Sequence, residues 1–385
     1  MIKPDYATNS IVNLMSGLLQ AMGGTVADYP PLATINAQQL ASKQNIILIV
    51  LDGLAYNYLM RQTGSFLYST LESKLTSVFP STTAAAISTY ASAVAPQQHA
   101  MTGWFMYLQE VGAVSAILPF KPRVGMQSYS DVGIAMDQVV DFKTIYEQIN
   151  RKSYVINQNY LVDSSYSKVS SRGAERVGYQ SLSHCFDQII SLASDANQAK
   201  YIYAYWAGFD NIAHTYGINS EQAQTQFNSI DGYFAELITK LKNTDSEVLV
   251  CADHGLIDTS AEKVININDY AEIQNSLALP LCGEPRAAYC YVKPEYALSF
   301  PDIVQACLPY QCDVLSVDEI LRQNFYGLGE LHKKLKNRIG DYVIIMRDNY
   351  VIKDTLLGEK PFSQIGVHGG VSADEMYVPL CRVTT

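Results

Sequence analysis

The sequence predicts an α/β fold, a doubly wound, mostly parallel sheet sandwiched by helices, in a single domain spanning residues 1–385. Three observations carry this reading. The run Ile46-Ile47-Leu48-Ile49-Val50-Leu51 is unbroken β-branched and aliphatic, as a strand buried on both faces of a parallel sheet requires. Similar short apolar runs recur at 154–156, 201–206, 248–252, 287–292 and 342–346, and helical patterns at 142–149, 186–192 and 221–241 separate most of them. With 48% apolar residues, a chain of 385 can bury a sizeable core.

The elements follow in order. Ile11, Leu14, Met15, Leu18 and Leu19 line one face of a first helix, opened by an Asn9 or Ser10 cap and closed by Gly23-Gly24. The first strand stops at Asp52-Gly53. A turn around Pro80 leads into an alanine-rich helix that begins near Thr83. The run at 201–206 passes into Gly208-Phe209-Asp210-Asn211-Ile212-Ala213-His214, and the run at 248–252 into Asp253-His254-Gly255. Segment 260–365 has the weakest periodicity and is read as an inserted lobe or lid. After it comes the glycine-rich turn Gly366-Val367-His368-Gly369-Gly370.

Charge and cysteine content exclude several classes. With 27 basic against 37 acidic residues, the net charge of −10 opposes a nucleic-acid polymer as partner. The basic stretches Arg151-Lys152 and 333–338 read as solvated helix faces. Seven scattered cysteines with no CxxC pair indicate neither a disulfide framework nor a cysteine-zinc knuckle, and fit a reducing, cytoplasmic setting. The amino terminus lacks the layout of a secretory signal. The longest apolar run, 46–51, is too short to cross a bilayer, so no membrane partner is expected.

Polar residues gather just past strand ends, where ligand sites form in open α/β sheets. Asp52, Asp210, His214, Asp253, His254 and His368 supply oxygen and nitrogen donors suited to zinc, enough for two ions. Asp210 and His214, four residues apart on a helix, share a face. Each alone has an ordinary reading: Asp52 or Asp210 as a cap or turn residue, His254 satisfied by a carbonyl, His368 as a loop histidine. Four strand-end coincidences in one chain point instead to a metal site. His99, His184 and His332 lie away from such motifs and are assigned to structure. Within Ser81-Thr82-Thr83, a helix N-terminus favours phosphate, so Thr83 is a candidate nucleophile, while any of the three could be only an N-cap.

In order, Ile49-Val50-Leu51-Asp52-Gly53-Leu54, Phe79-Pro80-Ser81-Thr82-Thr83, Asp210-Asn211-Ile212-Ala213-His214-Thr215-Tyr216-Gly217, Ala252-Asp253-His254-Gly255 and Val367-His368-Gly369-Gly370 resemble the alkaline phosphatase superfamily. The likeness is strongest to its type I phosphodiesterase and nucleotide pyrophosphatase branch, and spans nearly the whole chain. It implies an alkaline phosphatase-like fold and two divalent metal ions, Zn2+ or alternatively Mn2+. Asp210, His214 and His368 would hold one ion, and Asp52, Asp253, His254 and the Thr83 hydroxyl the other. It further implies that Thr83 is the nucleophile, passing through a phosphothreonine. Two departures stand out. Relatives that cleave nucleotide diesters carry an asparagine just after His99 that holds a phosphoryl oxygen, whereas this chain reads Met101-Thr102-Gly103-Trp104. The glycine that closes the nucleophile helix is Ala93. Trp104 or Phe105 could stack on a base or line an apolar leaving-group pocket, with a core role the expected one.

The implied activity is a two-metal phosphodiesterase or nucleotide pyrophosphatase acting on a small phosphoester or nucleotide. Phosphomonoesterase or phosphonate hydrolase activity is the enzymatic alternative, and an inactive binding protein of the same fold the non-enzymatic one. The sulfatase pattern of a Cys or Ser followed by Pro-x-Arg is absent. Phosphomutases, which use serine, fit poorly.

Overall fold

The computed structural model describes residues 1–25 and 28–385. The first helix forms as expected, Ile11–Ala21. Ser10 caps it, accepting from the Asn13 N–H while the Asn13 side chain accepts from the Ser10 N–H.

Two seven-stranded sheets follow. In the first, Ser246–Cys251, Asn45–Leu51, Lys200–Trp206, Lys152–Gln158 and Glu175–Tyr179 lie side by side and parallel. Tyr377–Thr384 runs antiparallel against Ser246–Cys251, and Leu71–Thr76 completes that edge. Asn45–Leu51 is buried along its whole length, which is why its sequence shows no alternation. Helices such as Leu182–Ser194 and Glu221–Lys240 pack their apolar stripes on this sheet through Ile189, Phe227, Ile230 and Phe234.

The second sheet is antiparallel throughout, in the order Cys312–Ser316, Tyr342–Met346, Ala287–Cys290, Cys282–Glu284, Phe105–Leu108, Ala113–Ala116, Lys121–Pro122. Here the strand runs at 287–292 and 342–346 depart from expectation, because they join this sheet and not the parallel one. Both are fully apolar because they too are covered on two sides, by separate apolar clusters around Ile344 and around Tyr289. A hydrophobic run reports burial, and burial alone does not distinguish parallel from antiparallel pairing. The strands of segment 260–365 continue a sheet begun at Phe105–Leu108.

Two smaller expectations also change. The pattern at 142–149 yields only the 3-10 turn Ile145–Glu147. Arg338, read as part of a solvated face, is buried and donates to the Ala100 and Val139 carbonyls and to Glu110. Those acceptors satisfy a guanidinium that could not otherwise leave water. Among the described residues no helix is long and apolar enough to cross a membrane.

Candidate metal and phosphoryl site

Three neighbouring strands set the site. Asn45–Leu51 lies between Ser246–Cys251 and Lys200–Trp206, with Leu51 opposite Trp206 and Val50 opposite Cys251. Neighbouring strands are about 4.8 Å apart, so side chains leaving their carboxyl ends converge. Asp52, Asp253 and Asp210 leave at those ends. The Asp52 N–H donates to the Trp206 carbonyl at 2.9 Å, and the Gly53 N–H to Asp253 Oδ1 at 3.1 Å. Gly53 turns with φ +78°, and a Cβ there would stand 2.5 Å from Leu256 Cδ1 and 3.2 Å from Asp210 Cβ. Only glycine lets the strand end so close to Asp210.

The histidines arrive from three directions. His214 lies one turn past Asp210 on the helix Gly208–Tyr216, with Nε2 3.1 Å from Asp210 Oδ2. Ile257–Asp258 pairs antiparallel with Gly366–Val367, which swings the following His368 beside His254, the two rings stacked at 3.8 Å between centroids. Each imidazole turns Nδ1 to a main-chain carbonyl: His214 to Gly366 at 2.7 Å, His254 to Gly255 at 3.1 Å, His368 to Ser81 at 3.2 Å. A proton held on Nδ1 leaves Nε2 with a bare lone pair, the arrangement typical of metal-ligating histidines.

The acidic groups show why a cation fits. Asp52 Oδ1, Asp210 Oδ1 and Asp253 Oδ2 are buried and have no hydrogen-bond partner among the described residues. Burial pushes the Asp52 carboxyl well up, and the neighbouring Asp253 and Asp210 push it further, although the Tyr205 hydroxyl donates to Asp52 Oδ2. Burial also raises Asp253. Burial works against ionisation of Asp210 too, but His214 outweighs it and holds Asp210 well below the usual range. Burial and the His254 ring drive His368 down, so it is a neutral donor. Three clustered carboxylates with orphaned oxygens, beside imidazoles offering Nε2, match the donor set of divalent zinc. Among the described residues two groups bring ligand atoms within 4.8 Å of one another: Asp52, Asp253 and His254, and Asp210, His254 and His368. His254 thus stands between the two positions, while His214 Nε2 lies 3.1 Å from Asp210 Oδ2.

Thr83 opens the helix Thr83–Ser92 and is half-buried at the same place, its Oγ 3.1 Å from His254 Nε2. Thr82 holds the N-cap position in extended conformation, yet its hydroxyl caps nothing. It donates instead to Glu284 Oε1 at 2.6 Å, so the first N–H groups of the helix have no side-chain cap and face the site. Ser81 is tied to the Gly370 carbonyl at 2.8 Å.

All seven residues singled out in the sequence are thus brought together. His99, His184 and His332 lie elsewhere. Buried His99, its pKa pushed down to about 3 by desolvation, bonds Thr89 and Met101 locally. Trp104 is not in the core as expected: it is 39% exposed and lines a cavity of about 1180 Å³ that also contains Thr83, His214 and His368. Two further residues of the site carry no signal in the sequence. Tyr205 is one of many strand tyrosines. Glu284 comes from the second sheet, and burial pushes its carboxyl up to about 7.

Solved structures share this architecture. Murine ectonucleotide pyrophosphatase/phosphodiesterase 5 matches with a TM-score of 0.65 at 16% identity, covering 87% of each chain. The human protein of that name matches at 0.65 and 16%, over 88% of this chain and 87% of its own. Phosphonoacetate hydrolase from Sinorhizobium meliloti, in complex with phosphonoformate, matches at 0.57 and 16%, over 87% and 89%. At that identity the likeness speaks for the fold. No curated protein matches the chain. The family model for type I phosphodiesterase / nucleotide pyrophosphatase matches residues 46–370, which takes in every residue of the site, and the chain belongs to that family.

Proposed function

We propose that this phosphoester hydrolase cleaves phosphodiester or pyrophosphate bonds in nucleotides or related small diesters, with Thr83 as nucleophile. The observation that carries the proposal is the Thr83 hydroxyl at the head of an uncapped helix, 3.1 Å from His254 Nε2 and beside three orphaned carboxylate oxygens. One cation would be held by Asp210, His214 and His368, the other by Asp52, Asp253, His254 and the Thr83 hydroxyl, with zinc as the metal and manganese the alternative. When bound, such ions supply Lewis acidity that lowers the pKa of a coordinated hydroxyl and screens charge on the phosphoryl oxygens.

The residues then have separable tasks. The helix N–H groups donate to a non-bridging oxygen and align phosphorus with Thr83 Oγ. Thr83 Oγ attacks phosphorus as the bond to the leaving-group oxygen breaks on the opposite side, the hydroxyl proton passing to solvent and a solvent proton to the leaving oxygen, and a phosphothreonine results. Water then attacks the same phosphorus from the vacated side, Thr83 regains its proton, and two inversions give net retention. The three Nδ1 contacts keep the imidazoles fixed throughout.

The murine neighbour is also known as an inactive variant in complex with AMP, which supports a nucleotide-sized ligand here. The unpaired state of all seven cysteines supports a reducing, cytoplasmic location. We treat residues 1–385 as one domain, with 260–365 forming a wall of the cavity. Turnover of bis-p-nitrophenyl phosphate, p-nitrophenyl phosphate and phosphonoacetate by zinc-loaded protein tests the reading. Preference for the diester is expected, and equal or greater monoester or phosphonate turnover would overturn it.

A further inference from the structure

Three acidic side chains of the cavity lie outside the metal and nucleophile assignments: Asp354 and Glu359 are paired with Arg123, and Glu284 has no cationic partner among the described residues. Glu284 ends the strand Cys282–Glu284, at the turn into Ala287–Cys290. It is 7% exposed and lines the cavity with Thr83, His214 and His368. Its Oε1 takes two donors, the Thr82 hydroxyl at 2.6 Å and the Trp104 N–H at 2.7 Å. Oε2 takes no hydrogen bond among the described residues. The approach to His368 is tight: the next residue, Gly369, has φ +107°, and a Cβ there would stand 2.6 Å from Glu284 Cβ.

These contacts place a carboxylate at the side of the phosphoryl seat. Thr82 adjoins the nucleophile, and His368 adjoins Gly369, so Glu284 is braced between the two sides of the site. The segment 101–104 offers no side-chain amide to a phosphoryl oxygen, and its Trp104 N–H is committed to Glu284. Above neutrality, with its carboxyl ionised, Glu284 therefore presents a negative charge to a group approaching Thr83.

We propose that Glu284 determines specificity: its second carboxylate oxygen repels the extra charge of a phosphomonoester dianion and so reserves the site for singly charged diesters. The proposal rests on the phosphoesterase reading above. Two like charges close together in a buried site repel strongly enough to change relative binding by about tenfold or more. Oε1 has a separate effect, since by occupying Thr82 it keeps that hydroxyl from capping the helix.

Glu284→Gln removes the charge while keeping an oxygen for Thr82 and Trp104. Assayed well above neutrality, it should raise the ratio of kcat/KM for p-nitrophenyl phosphate over bis-p-nitrophenyl phosphate about tenfold, and inorganic phosphate should inhibit about tenfold more tightly. Glu284→Asp, which keeps the charge, should hold the ratio near that of the unaltered protein. A ratio unmoved by Glu284→Gln, or moved equally by Glu284→Asp, would overturn the proposal. Calorimetric binding of inorganic phosphate to the metal-loaded proteins reads the same selectivity without turnover, and equal affinity of Glu284→Gln and the unaltered chain overturns it as well. Absence of all turnover with a retained difference in phosphate affinity would instead count against the phosphoesterase reading alone.

Discussion

The parallel strands around Asn45–Leu51 and the antiparallel strands around Ala287–Cys290 bury their side chains to the same depth, but they deliver polar groups to the site in different ways. Parallel strands all end on one edge, so Asp52, Asp210 and Asp253 are adjacent in space because their strands are adjacent in the sheet. An antiparallel sheet has no such common edge. Its contribution, Glu284, reaches the cavity from a hairpin turn and depends on particular contacts with Thr82, Trp104 and Gly369. In the proposed reading, the chemistry would come from the topology of the first sheet and discrimination from local fit in the second.

If that division holds, the largest loss of activity should come from the first region with no loss of fold. Thr83→Ala is expected to lower turnover by a factor of about 10³ or more, since the covalent route is removed. Circular dichroism and much of the metal content should stay as they were. Retention of most activity would remove Thr83 from its role.

Asp253→Asn is expected to act next most strongly. A neutral amide is a poorer ligand than a carboxylate, so both metal occupancy and rate should fall, the rate by about 10- to 100-fold. Metal analysis of the purified variant checks this directly. Full occupancy with full activity would show that the cluster at Asp52, Asp253 and His254 is not the one that matters.

The third prediction probes the join between the regions. Arg286, two residues past Glu284, makes a bidentate pair with Glu375 at 3.0 Å and 3.0 Å, both side chains buried. Glu375 also accepts the Gly370 N–H at 2.8 Å, so the pair ties the second sheet to the turn carrying His368. Glu375→Gln leaves Arg286 buried without its counter-charge and should cost about 3–5 kcal/mol in denaturant unfolding. Burial would raise the Glu375 carboxyl, but Arg286 prevails and holds it below its ordinary value. A depressed native pKa stabilises the fold above the unfolded carboxylate range, and that contribution is lost as pH falls through the native value. The gap between the two proteins should therefore close in acid. A gap that persisted unchanged at low pH would show that the pair is not what Glu375 contributes.

How much of this was legible in the sequence follows the same division. Asp52 and Asp253 follow apolar runs directly, His254 comes next after Asp253 and Asp210 lies four residues past a third run, so nearness to a strand end marks them. His368 was marked by its glycines, and the structure gives part of the reason: Gly369 makes room for Glu284. Glu284 itself was silent, because Cys282–Glu284 is only three residues long and its pairing partners, Phe105 and Ala287–Cys290, include one far away in the chain. No periodicity records a contact of that kind. For the same reason the runs at 287–292 and 342–346 do not reveal their pairing sense, since both are apolar for want of solvent on either face.

The smallest predicted effect concerns a departure from pattern inside the legible region. Ala93 closes the nucleophile helix in the left-handed conformation, φ 62°. Returning glycine there relieves about 1–2 kcal/mol of steric strain. It also removes a buried methyl, worth about 0.8 kcal/mol, and adds about 0.4–1 kcal/mol of unfolded-state entropy. The opposing terms are of equal size, so Ala93→Gly should shift Tm by under about 2 °C and leave kcat/KM unchanged. A larger rise in Tm would mean that the helix carrying Thr83 is held under strain by its own C-terminus. The first sheet would then not be the self-sufficient frame that places the nucleophile.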